Sequence, residues 1–98
     1  MRYTLLVLAC LVLPAQTQDP ARDPLDKAYQ ALREKKYLEA IDQFHLAVKA
    51  APDRAAIRKD LGYAYLKAGE TEWAREMFEQ ALALDPKDDR VADRKSVV

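Results

Sequence analysis

Between Tyr37 and Ala51 the apolar residues Tyr37, Ala40, Ile41, Phe44, Ala47, Val48 and Ala51 fall at steps of three and four, with polar residues between them. That spacing predicts a helix carrying one apolar stripe. The stripe returns as Ala74, Met77, Phe78, Ala81 and Leu82. Ahead of each stripe lies a second helical face, Leu25, Ala28, Tyr29 and Leu32 in one case and Ile57, Leu61, Tyr65 and Ala68, with Gly62 among them, in the other. The pattern therefore predicts an all-α chain of four helices in two antiparallel pairs.

Turn and cap residues bound these helices. Asp23 is expected to cap the first, with Pro24 at its first helical position, and Gly69 suits the turn that closes a helix over 54–68. Thr71, beside two glutamates, is the expected cap of the helix that runs to Leu84. Pro52 and Pro86 lack a backbone donor and mark where the second helix of each pair has already ended. The small residues Ala28, Ala40, Gly62 and Ala74 predict close approach of paired helices, with Phe44 and Phe78 filling the space beyond each crossing.

The two pairs are copies. Laying 21–54 on 55–88 gives eight identities: Ala21/Ala55, Asp26/Asp60, Tyr29/Tyr63, Leu32/Leu66, Ala40/Ala74, Phe44/Phe78, Ala47/Ala81 and Pro52/Pro86. About two would arise by chance. The run Ala-x3-Phe-x2-Ala-x4-Pro is kept in both, and the second copy adds Leu61-Gly62-x2-Tyr65. This resembles the tetratricopeptide repeat, a helix-turn-helix unit of about 34 residues, over repeats 21–54 and 55–88. The first copy departs from the family pattern: Lys27-Ala28 replaces Leu-Gly and Ala31 replaces the Tyr. In both copies the family's Trp is missing, with Pro24 and Arg58 in its place.

The resemblance implies a short α-solenoid in which the first helices of the repeats line a concave groove for an extended or helical segment of a partner. Carried over by position, the groove residues are Leu25, Tyr29, Leu32 and Arg33, then Lys59, Tyr63, Leu66 and Lys67. Aromatic rings with cations beside them suit a partly apolar peptide carrying some negative charge; the competing reading has both tyrosines merely covering the helix surface. The family's carboxylate-clamp subtype is excluded, because it needs an Asn where Tyr29 stands and the chain has none.

Residues 1–17 differ in kind. Arg2, an apolar run over 5–13 and Pro14-Ala15-Gln16-Thr17 read as a secretory signal peptide that is cleaved, placing the protein in the periplasm, the cell envelope or outside the cell. The run is short of the roughly twenty residues of a membrane span, so the expected membrane association is limited to an uncleaved signal. Cys10, the only cysteine, fits a lipoprotein motif poorly and leaves the mature chain without a thiol. Residues 18–22 read as a solvated linker. At the other end, residues 89–98 read as the start of a lost third repeat, Asp89 to Ala92, followed by a foreign tail. The six residues from Asp93 to Val98 are those encoded by a common short-read sequencing adapter, which suggests a truncated fragment.

Charge excludes some functions. Sixteen basic and sixteen acidic residues alternate instead of clustering, so no stripe for nucleic-acid phosphates exists. One histidine, His45, and a mature chain without cysteine leave no metal site beyond carboxylates. Two glycines cannot build a phosphate loop, and Ser96 is the only serine. No catalytic residue, cofactor or small-molecule substrate is expected. The expected function is an exported protein-binding module. The alternatives are a structural repeat that packs on its own chain or on another copy, and the front part of a larger enzyme. A two-repeat array should also leave Ala74, Met77, Ala81 and Leu84 partly exposed at its open end.

Overall fold

The computed structural model describes residues 18–87. Its elements are α1 (Arg22–Arg33), α2 (Tyr37–Ala50), α3 (Ala55–Lys67) and α4 (Thr71–Leu84), and the described residues contain no strand. α1 packs on α2 and α3 on α4, while α2 joins the two pairs by packing against α3. The apolar stripes face inward as their spacing requires: Ala40, Ile41, Phe44 and Ala47 are buried on α2, and Ala74, Met77, Phe78 and Ala81 on α4. The expected partial exposure of Ala74, Met77 and Ala81 is therefore wrong. Met77 reaches the core shared by α1, α2 and α3, and the two alanines pack with Phe78, so that of these four residues only Leu84, 42% exposed, remains open.

Gly62 has a different use from the one expected. A Cβ there would stand 2.6 Å from Cε1 and 2.7 Å from Cδ1 of Phe78. The glycine makes room for the ring itself, which enters the space a side chain would fill. Phe44 and Phe78 are both fully buried.

Both pairs turn in the same way. After α3, Gly69 has φ 84°, its N–H donates to the Leu66 carbonyl, and the Glu70 N–H donates to that of Tyr65. After α1, Lys35 has φ 61°, its N–H donates to the Leu32 carbonyl, and the Lys36 N–H donates to that of Ala31. These are paired Schellman closures, glycine-based in one repeat and lysine-based in the other.

Two caps differ from expectation. α1 starts one residue before Asp23, and the Asp19 carboxylate accepts the Ala21 N–H at 3.0 Å. Pro24 lies inside the first turn, where a missing N–H costs nothing because that donor would be unpaired. Thr71 is the first residue of α4 and caps nothing; the tight turn through Gly69 makes Glu70 the preceding residue, and its carbonyl accepts from Ala74 at 3.0 Å. Within the expected linker, residues 18–22, Gln18, Pro20 and Arg22 are exposed, but Ala21 is fully buried and Asp19 grips Arg54 at 3.1 and 3.2 Å. The expected signal peptide, Cys10, the expected start of a third repeat and the adapter-like tail lie outside the described residues.

Candidate binding groove

α1 and α3 carry the eight sequence-predicted groove residues at matched places. Leu25 and Leu32 on α1 and Lys59 and Leu66 on α3 are half-buried; Tyr29, Arg33, Tyr63 and Lys67 are exposed. Tyr29 and Tyr63 are each 37% exposed, so the repeat gives the two rings the same degree of access. Leu25 and Leu32 pack against the main core, and Leu66 packs against the cluster of Phe78 with its alanine neighbours.

Spacing along each helix brings a third residue type into the same face. Asp26, Tyr29 and Arg33 stand at i, i+3 and i+7 on α1, as do Asp60, Tyr63 and Lys67 on α3. Residues so spaced share one side of a helix. The Tyr29 hydroxyl donates to the Asp60 carboxylate, tying α1 to α3, and its ring meets Phe44 edge-on with centroids 5.3 Å apart. Burial, then the neighbouring Asp60 carboxylate, pushes the Tyr29 phenol well above its ordinary value. On α3, the Lys67 ammonium lies 5.5 Å from the centroid of the Tyr63 ring, a cation–π arrangement.

Asp60 was missed at the sequence level, although a signal was present. Asp26/Asp60 and Tyr29/Tyr63 are both identical pairs, three residues apart, so an acid one repeat on was a candidate partner for the first tyrosine.

A second aromatic group joins the repeats on another side. His45 Nε2 and the Tyr65 hydroxyl are 2.8 Å apart, and Tyr65 stacks on Trp73 with centroids 6.2 Å apart. Burial, followed by the charges of Glu70 and Asp42, raises the Tyr65 phenol. His45 thus bridges two repeats. Among the described residues no group of three or more His, Cys, Asp or Glu side chains is placed to hold a metal ion.

Two surface depressions lie largely away from this face. One is lined by Lys27, Gln30, Glu34, Glu39, Asp42 and Gln43 on the outer side of the first pair, and another by Lys35, Lys36, Leu38 and Glu70, with only Lys67 shared with the tyrosine face. The outer side of α1 explains one departure of the first repeat from the family pattern, Lys27 in place of Leu. Lys27, Gln30 and Glu34 occupy the places that Leu61 and Ala64 hold on α3 and Ala68 just after it, all three of which pack in the core shared with α2. Among the described residues no helix precedes α1, so those positions meet water and are polar.

Two helix pairs with one 34-residue period, stacked through α2 and α3, define a short helical repeat protein. The chain belongs to the tetratricopeptide repeat family, whose model matches residues 31–95. It is accordingly a protein-interaction or scaffold module. The match begins at Ala31 and omits most of α1, the helix whose outward face is polar. No curated protein matches the chain.

Proposed function

We propose that the chain is a non-catalytic, exported module that holds an extended segment of a partner protein across α1 and α3, on the face of Tyr29 and Tyr63. The observation that carries this is the equal exposure of two tyrosines at one repeat position, on helices whose half-buried Leu25, Leu32 and Leu66 pack on the core. Rigid aromatic rings on a firm floor supply contact area at low entropic cost. Export rests on the charge and apolar pattern of residues 1–17, and a mature mass beginning near 16–19 after secretion is its test.

The groove is tested with a peptide selected by display against the full chain. Tyr63→Ala should weaken that peptide at least tenfold while the helical content stays. Unchanged affinity would remove the tyrosine face as the site. A second reading is favoured by the Tyr29–Asp60 contact: Tyr29 joins repeats and serves no ligand. Tyr29→Phe separates the two, because it deletes the hydroxyl and keeps the ring; loss of stability with unchanged affinity assigns the hydroxyl to the fold alone.

A further inference from the structure

The repeat writes the same three chemistries twice. Asp26 and Asp60 form one row across the two first helices, Tyr29 and Tyr63 the next, and Arg33 and Lys67 a third. The acidic and basic rows are seven residues apart, about 10 Å along a helix, with the aromatic row between them. The Tyr29–Asp60 contact shows the aromatic residue of the first repeat meeting the acidic residue of the second, and Lys67 over the Tyr63 ring shows the basic row bordering the aromatic one. The Asp60 carboxylate can take a second donor while accepting the Tyr29 hydroxyl, because it offers more acceptor sites than one donor fills. Lys59, beside Asp60, is the one groove position where the repeats differ in polarity, its counterpart being Leu25.

We propose that the groove selects an extended peptide in which basic and acidic side chains alternate. The basic ones reach Asp26 and Asp60, and the acidic ones reach Arg33 and Lys67. The proposal rests on the groove reading given above and names its ligand chemistry. Successive side chains of an extended strand point to opposite sides. A strand laid edge-on along the tyrosine row therefore sends every second side chain to the acidic row and the others to the basic row. An all-acidic segment would satisfy one row and be repelled by the other. Complementary charge of this kind governs specificity and register more than total affinity.

Three octapeptides test this against the full chain in calorimetric or NMR titration at low salt. The first alternates lysine and glutamate throughout, the second has the same composition in two blocks, all lysines before all glutamates, and the third is octaglutamate. The alternating peptide should bind at least tenfold tighter than either of the others. Asp26→Lys and Arg33→Glu should each weaken it several-fold, and Asp26→Lys should improve octaglutamate. If the block peptide or octaglutamate binds as well or better, and Tyr63→Ala still abolishes that binding, the alternating pattern is overturned while the groove stands. If the preferred peptide is indifferent to Tyr63→Ala, the groove is on the wrong face and both readings fail. Absence of binding by all three at millimolar concentration also overturns the alternating-charge proposal, and the display-selected peptide then decides the groove independently.

Discussion

Lys35 and Gly69 occupy the same place in the two repeats and adopt the same left-handed backbone, at φ 61° and 84°. A side chain in that region costs about 1–2 kcal/mol, so Lys35→Gly should stabilise the chain by about 1 kcal/mol, the greater freedom of glycine in the unfolded state offsetting part of the gain. Chemical denaturation should show the rise; a fall would mean that the Lys35 side chain contributes more than its backbone costs. Gly62 has the opposite sensitivity. A methyl group there would enter the Phe78 ring, so Gly62→Ala should destabilise by about 1–3 kcal/mol, as overpacked cores do. Phe78→Leu, which removes the ring, should make the added methyl cheaper. If the two substitutions simply add in a double-mutant cycle, the ring and the glycine are not coupled.

Helices are held to one another by pairs that differ in how readable they were. The α2 and α4 stripes, the ends of α2 and α4, and the Gly69 turn follow from periodicity and from glycine chemistry. The Lys35 turn does not, because lysine carries no preference for a positive φ. The Asp19–Arg54 ion pair joins residues 35 apart with no counterpart in the other repeat, since the places 34 residues on are Asp53 and Asp88. Neither helical spacing nor the repeat could reveal it.

That pair has a pH signature. The Arg54 hydrogen bond, then the Ala21 N–H, holds the Asp19 carboxyl below its usual range. A carboxylate depressed in the folded state stabilises it above the unfolded pKa, about 3.9, and the contribution is lost as pH falls through the lower folded value. Asp19→Asn should therefore flatten the acid limb of the stability profile below about pH 4. An unchanged limb would mean that the exposed pair is fully screened. Tyr29, which joins α1 to α3, gives the alkaline counterpart. Its phenol is raised, so its contribution is complete below about pH 10 and is lost as pH climbs from there toward the folded value. Absorbance titration should find a late tyrosine ionisation that belongs to Tyr29, and Tyr29→Phe should remove that late step.

Across the whole molecule, the polar outer side of α1 and the shared core between α2 and α3 make the two repeats one unit with distinct faces. The matched access of Tyr29 and Tyr63 was legible because it follows from one repeated position. What their rings touch was less legible. Tyr29 rests on Phe44 and on Asp60 of the next repeat, whereas Tyr63 borders Lys67 of its own helix. The central claim is that this face takes up the partner. Its most direct measurement is chemical-shift mapping of the full chain with a display-selected peptide. The largest perturbations should fall on Tyr29, Leu32, Arg33, Tyr63, Leu66 and Lys67, with α2 and α4 little changed; perturbations centred on Leu38, Trp73 and the outer side of α2 and α4 would place the partner on another face.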